Sequence, residues 1–246
     1  MRYFIFTDIH GNLEAFLVVL KFLKRRKIDH YIFLGDLVGY GASPNEIIQK
    51  IQPLRPLHII RGNHDKAVCG LDSVETFNPI AASAIQWTKT HLLKKSQNYL
   101  CRLKKGPQVI HNHVTLCHGA PFDEDHYIFG EFDAAEAFHH IKTPVCFFGH
   151  THFPFVYAEK DSLVEGTFLT GNSNEVKLEK DKRYLINPGS VGQPRDRNSR
   201  AACAIYDSRT RKINFFRLEY DIKEAQRKIL EANLPPALAE RLSLGI

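Results

Sequence analysis

Five short apolar runs in this chain each end beside a glycine and an Asp, Asn or His, and that coincidence constrains the fold more than any other feature. Tyr3-Phe4-Ile5-Phe6 precedes Asp8, Tyr31–Leu34 precedes Asp36, and Leu57–Ile60 precedes Asn63. Val114–Cys117 precedes His118, and Val145–Phe148 precedes His150. Runs this short, rich in β-branched and aromatic residues and bounded by glycine or polar residues, read as buried strands. In open α/β sheets ligands collect beyond the carboxyl ends of the strands, so five distant segments can deliver polar groups to one place. Gly11, Gly35, Gly62, Gly119 and Gly149 stand where the backbone must turn sharply beside those groups.

The intervening segments supply helices. Asn12 caps a helix to about Lys27 with Leu13, Phe16, Leu17, Leu20 and Leu23 on one face, and its terminal Lys24-Arg25-Arg26-Lys27 run suits the negative end of the helix dipole. Ser43-Pro44 introduces a second helix, Glu46 to Ile51. Between Lys66 and Gly106 the strand pattern disappears, Asn78-Pro79 opens a helix to about Lys89, and another is expected around Gln97 to Lys104. This helical excursion (66–106) is either a substrate-facing cap or a packing layer. After His152, the runs Phe155–Tyr157, Tyr184–Ile186, Ala202–Tyr206 and Ile213–Leu218 read as a second, largely antiparallel sheet, and Asp221 to Ala232 as a helix. The expected architecture is a single domain over residues 1–246, a four-layer α/β/β/α sandwich of two mixed sheets flanked by helices.

The chemistry lies in Asp8-Ile9-His10, Gly35-Asp36, Gly62-Asn63-His64-Asp65, His118-Gly119 and Gly149-His150-Thr151-His152. Any one of these alone reads as a turn. Together they offer carboxylate, imidazole and amide oxygen donors in numbers that suit two borderline divalent cations, with no thiolate required. In this order they resemble the calcineurin-like metallophosphoesterase superfamily, and within it the small bacterial and archaeal phosphodiesterase-type proteins that carry Asp-Ile-His-Gly-Asn early and Asn-Pro-Gly-Ser late. The resemblance runs from Asp8 to Asp196.

It implies that Asp8, His10 and His152 hold one metal, that Asn63, His118 and His150 hold the other, and that Asp36 bridges them. The cofactors implied are two divalent ions among Mn, Fe, Zn, Ni and Co, with Mn favoured. Paired cations lower the pKa of water and clamp phosphoryl oxygens for in-line attack. His64 would face the substrate as general acid, its ring oriented by Asp65. The expected substrate is a small, nucleotide-like phosphate ester, cleaved by a phosphodiesterase or a dinucleoside polyphosphate hydrolase. A phosphoprotein or phosphomonoester phosphatase is the alternative within the superfamily. A non-catalytic scaffold for protein partners is the alternative outside it, and the retention of His64 and of every ligand position counts against that.

In Asn187-Pro188-Gly189-Ser190-Val191-Gly192-Gln193-Pro194-Arg195-Asp196, Arg195 is either a donor to phosphate oxygens or a solvated arginine on a structural turn. The chain has 13 His. His111 and His113 lie at the wrong end of their strand to join the site and are expected to be solvent-facing; His30, His58, His91, His139 and His140 read as structural, and His126 as a weak candidate for approaching substrate. A formal net charge of +6 favours an anionic partner, a small phosphate ester more than nucleic acid. Hydrophobic content of 43% over 246 residues supports one sizeable core. The 5 scattered Cys argue against a disulfide framework and for a reducing compartment. With no leader and no apolar run of about 20 residues, a cytoplasmic protein without membrane association is expected; the oligomeric state is not legible.

Overall fold

In a computed structural model describing residues 1–246, the apolar runs form strands and the donor residues follow their carboxyl ends. β1 (Arg2–Phe6), β2 (His30–Phe33) and β3 (Leu57–Ile59) are parallel neighbours. β5 (Val114–Leu116) and β6 (Val145–Phe147) are also parallel, and β4 (Gln108–Ile110) pairs antiparallel with β5. Between them run α1 (Leu13–Leu23), α2 (Pro44–Ile51), α3 (Asn63–Val68), α4 (Pro79–His91), α5 (Lys94–Leu100) and α6 (Glu131–His139).

The remaining strands are β7 (Pro154–Lys160), β8 (Leu163–Phe168), β9 (Ser173–Lys177), β10 (Arg183–Pro188), β11 (Ala201–Asp207) and β12 (Lys212–Leu218), followed by α7 (Ile222–Glu231) and α8 (Pro236–Leu244). These later strands do not make a sheet of their own, contrary to expectation. They divide, giving two six-stranded mixed sheets with orders β3-β2-β1-β11-β12-β9 and β4-β5-β6-β10-β7-β8. The reason is edge protection: β1 and β6 each have an unpaired side that a later strand covers, β11 running antiparallel to β1 and β10 parallel to β6.

Side-chain alternation then sets the layers. Tyr3, Ile5, Ile32 and Leu34 point between the sheets against Leu116, Val145, Phe147, Tyr184 and Ile186. Phe4, Phe6 and Phe33 point outward into α1 and α2 through Phe16, Val19, Ile47 and Ile48. On the other outer face Cys146, Phe148 and Leu185 meet Ala134, Ala137 and Phe138 of α6. The Phe16 ring is fully buried, so Phe16→Ala is expected to cost about 3–5 kcal/mol. Asn12 caps α1 as expected, its side chain accepting from the Ala15 N–H at 3.1 Å. That helix ends at Leu23 and not Lys27, because the last four residues are basic, exposed and without an apolar position.

The excursion after His64 folds as α3, a 3₁₀ turn at Val74–Thr76, α4 and α5. Cys69 and Cys101 are joined by a disulfide across it, correcting the expectation drawn from cysteine count; Cys117, Cys146 and Cys203 are free and buried. Two cysteines 32 residues apart carry no spacing signal, and only the folding of the excursion brings them together at the C-terminal caps of α3 and α5. No helix is long and apolar enough to cross a membrane.

Candidate metal centre

The loops beyond β1, β2, β5 and β6 place Asp8, His10, Asp36, His118, His150 and His152 at one edge of the sandwich, all buried. The backbone pays attention to these positions: Asp8, His10, Asp36, His150 and His152 all have φ between 50° and 65°. That left-handed conformation is uncommon outside glycine, and such strain gathers at functional sites. Space is as tight as conformation. A Cβ on Gly62 would lie 2.1 Å from Asp36 Oδ1, and one on Gly149 would lie 2.4 Å from Thr7 Oγ1.

Each imidazole is aimed from behind. Nδ1 of His10, His118 and His152 lies 3.1, 2.8 and 2.6 Å from the carbonyls of Val38, Leu34 and Gln193. A carbonyl only accepts, so these Nδ1 atoms carry the proton and each Nε2 presents a lone pair. His150 is reversed: its Nε2 donates to the Asp125 carbonyl at 3.0 Å, leaving Nδ1 free. The lone pairs then converge. His10 Nε2 is 3.1 Å from His152 Nε2, and His118 Nε2 is 3.0 Å from Asn63 Oδ1, pairings of acceptor with acceptor. Between them lie Asp8 Oδ1 and Asp36 Oδ2, buried with no hydrogen-bond donor. Acceptors facing acceptors around unpartnered carboxylate oxygens need cations between them.

Donor atoms within 4.8 Å of one another form three overlapping groups: Asp8, His10 and His152; Asp36, His118 and His150; and His10, Asp36 and His64. Asp36 stands between the others, with Oδ2 at 3.6 Å from His10 Nε2 and 3.4 Å from His118 Nε2. Without cations the charges show the same tension. Burial lifts the Asp8 carboxyl to about 7 despite the nearby His118. For His118, burial works toward a lower pKa, but the Asp36 charge outweighs it and raises the ring to about 10, so that without a cation a proton occupies the Nε2 lone pair. Burial holds His10, His150 and His152 well below the ordinary imidazole value.

Asp65 does not orient His64 as expected. Its carboxylate accepts the backbone N–H groups of Asp36 (2.9 Å), Leu37 (2.9 Å), Val38 (3.3 Å) and Gly62 (3.0 Å). It is a staple for the Asp36 loop, and four converging amides leave no acceptor site for a ring N–H. His64 is held instead by its own backbone, whose N–H donates to Asp36 Oδ1 at 2.9 Å, and by the rings of His10, Tyr40 and Phe77. Its Nδ1 has no partner, and burial lowers its pKa to about 4.

The loop after β10 is a clamp. Asn187 Nδ2 donates to the Gly149 carbonyl at 2.8 Å, Ser190 Oγ donates to the Asp8 carbonyl at 2.9 Å, and Gly192 N–H also reaches the Asp8 carbonyl at 2.9 Å. Arg195 follows this loop into the site, where Nη2 donates to Gln193 Oε1 at 3.2 Å and Nε is buried without a partner. Its charge depresses the pKa values of His64, His10 and His152. Asp196 pairs with Arg217 and Arg197 is exposed, so neither joins the site.

A cleft of about 500 Å³ opens over the centre, lined in part by His64, Asn63, Tyr40, Phe77, Tyr127 and His150. Asp72, Thr76, Phe77, Asn78 and Ala81 of the excursion form one wall, so that segment faces the site. Sequence reasoning missed Tyr127, whose ring stacks on His150 with centroids 3.8 Å apart. No periodicity marks it; the only signal is the aromatic density of Phe122, Tyr127 and Phe129. His126 beside it turns away to Asp133 at 3.5 Å. His111 and His113 lie in a turn as expected, His111 exposed and His113 half-buried, and each is also 2.9 Å from a tyrosine hydroxyl, that of Tyr3 or Tyr206. A larger groove of about 770 Å³, lined by Lys21, Arg25, Arg26, Arg200 and Arg217, carries none of these donors.

Two packed mixed sheets with buried His and Asp groups converging at their edge define a metallophosphoesterase, a hydrolase acting on phosphoester bonds. The chain belongs to the calcineurin-like phosphoesterase superfamily, whose domain profile matches residues 1–211. It is 41% identical over 248 residues to an uncharacterised protein of Methanocaldococcus jannaschii, MJ0912, covering 98% of this chain and 97% of that one. Its fold is similar to that of a metallophosphoesterase from Sphaerobacter thermophilus, with 37% identity, a TM-score of 0.88, and 100% and 99% of the two chains covered. The hypothetical protein PH1004 from Pyrococcus horikoshii shares the fold at 21% identity, with a TM-score of 0.80 over 100% and 98% of the chains. The family depends on paired divalent metals, and the donor groups described above suit such a pair.

Proposed function

We propose that this protein hydrolyses a small, nucleotide-like phosphate ester, a diester or a dinucleoside polyphosphate, with two divalent cations, Mn²⁺ favoured. Asp8, His10 and His152 would hold one cation, Asn63, His118 and His150 the other, and Asp36 both. When bound, the pair supplies a nucleophile from water at neutral pH and neutralises phosphoryl charge. The residues of the chain do the rest. Asn63, His64 and Tyr127 share one cleft, so a phosphate at the centre lies beside the His64 ring. His64 Nε2 is the group that donates to the departing oxygen: a hydrogen bond from the neutral ring, whose pKa burial lowers to about 4, and a proton once the charge of a bound phosphate raises that pKa. Arg195 supplies a fixed positive charge for a further phosphate.

The observation that carries the nucleotide reading is the aromatic slot. Tyr127 and Phe129 stack at 5.1 Å with an 8° interplanar angle, and the Tyr127 ring continues onto His150. A base leaving the phosphate site can lie against the aromatic residues that line the cleft, Tyr40, Phe77 and Tyr127, and base–aromatic stacking contributes about 1–3 kcal/mol. The test is a Mn²⁺-supplemented panel of diesters, dinucleoside polyphosphates, nucleoside monophosphates and phosphopeptides. The reading requires kcat/KM to be highest for a substrate bearing a base. Preference for a phosphopeptide would replace it with a phosphatase, and inactivity on every ester with both metals bound would favour the scaffold.

A further inference from the structure

His30 opens β2, His58 lies in β3, and His111 stands in the turn between β4 and β5, so three imidazoles from both sheets meet at one place. Their ligand atoms lie within 4.8 Å of one another. The place is at the other end of the strands from the phosphoesterase centre, since the donors there follow the carboxyl ends of β1 and β2 whereas His30 begins β2. His58 pairs with Ile32 and His30 precedes Ile32 by two, so both rings point to the inner face, where Ile32 is buried between the sheets. His111 reaches the same spot from the opposing sheet. The three rings therefore bridge the mouth of the inter-sheet core.

We propose that His30, His58 and His111 bind a borderline divalent cation, Zn²⁺ by preference, which ties the first sheet to the second. His30 Nδ1 and His58 Nε2 face each other at 3.2 Å. Tetrahedral Zn–N bonds of about 2.0–2.1 Å place neighbouring ligand nitrogens about 3.3 Å apart, so this pair already has the spacing of one tetrahedron edge. His111 lies with its ring centroid 4.5 Å from that of His30 and 5.6 Å from that of His58. Its Nδ1 is 2.9 Å from the Tyr3 hydroxyl, which fixes the ring and leaves Nε2 as the donor. His111 has φ of 50°, a conformation held outside any helix or strand. Three imidazoles and no carboxylate favour Zn²⁺, Ni²⁺ or Cu²⁺ over Mn²⁺, so the two centres differ in the metals they select.

The test compares wild-type protein with His58→Gln and with His111→Asn, asparagine being tolerant of the positive φ. Each is saturated with Mn²⁺, exposed to Zn²⁺, freed of unbound metal and analysed for total Mn plus Zn. Exchange at the phosphoesterase centre leaves that total unchanged. Wild type should hold one equivalent more than either variant and should show a larger Zn²⁺-dependent rise in Tm than either, while all three hydrolyse phosphate esters equally. Equal totals in the three proteins would overturn the proposal, as would a Zn²⁺-dependent Tm rise of the same size in all three. Because the readout is a difference between proteins, it does not depend on the stoichiometry or metal identity of the phosphoesterase centre.

Discussion

Replacing Asp65 with asparagine changes almost no volume but removes one of two carboxylate oxygens from a site built only of donors. Oδ2 accepts from Asp36 and Gly62, and Oδ1 from Leu37 and Val38. In either orientation the new NH₂ faces two backbone N–H groups, which lose their acceptor inside the protein. A buried donor left without a partner costs about 1–3 kcal/mol, so Asp65→Asn should destabilise by about 2–6 kcal/mol. For a chain near this size, each kcal/mol lowers Tm by about 2–4 °C, which gives a fall on the order of 10 °C. The lost bonds are those that shape the Asp36 loop, so metal content should fall with stability. Differential scanning fluorimetry and elemental analysis on the same preparation read both. The alternative, in which Asp65 serves the His64 ring, predicts a different pattern: nearly unchanged Tm and metal content, with turnover reduced most for poor leaving groups. That pattern would refute the stapling role.

Asp36→Asn should abolish activity and lower metal content more than His10→Ala does, because Asp36 alone faces both donor groups; full activity with unchanged stoichiometry would remove the shared carboxylate. His64→Ala should retain both metals and lose turnover most steeply with poor leaving groups, and loss of a metal would make His64 a ligand. Arg195→Ala should weaken kcat/KM strongly for diadenosine tetraphosphate and slightly for bis-nitrophenyl phosphate, an equal effect on both denying it a part in polyphosphate selection. Chelator-treated protein should lose stability as pH falls from 6.5 toward 4: the unfolded chain there takes up protons on His10, His64, His150 and His152 that the folded chain excludes, while the folded chain takes up fewer, on Asp8 and Asp65, whose pKa values burial raises to about 7. Denaturant titrations at several pH values measure this, and a midpoint that climbs on acidification would contradict it.

The parts of this fold that a sequence can announce are those set by local pattern. Tyr3–Phe6 and Val145–Phe147 are short, apolar and bounded, so they were legible as strands, and the donors were legible because they follow the strand ends directly. Sheet membership was not, since whether β11 pairs with β1 or with β10 depends on which edge lies open after both halves have folded. Asp65 misled for a related reason: adjacency to His64 in sequence looked like a dyad, but on the first turn of α3 the two side chains diverge and the carboxylate turns to the backbone of residues 36–38. Tyr127, the Cys69–Cys101 pair and the meeting of His30, His58 and His111 arise from tertiary packing alone, with no spacing in common that a reader of the chain could test.

All seven proposed metal donors precede residue 153, yet the sheets that hold them are completed only by β10 and β11, from residue 183 onward. The clamp from Ser190 to Asp8 spans 182 residues. On the ribosome, a nascent chain therefore carries every donor before it can assemble them, and closure must await strands of high contact order, which form late and slowly. Loose histidines and carboxylates meanwhile bind whatever cation is abundant, in no fixed geometry. Maturation thus runs from finished polypeptide to metal, and a chain truncated before β10 should capture cations without ever becoming an enzyme.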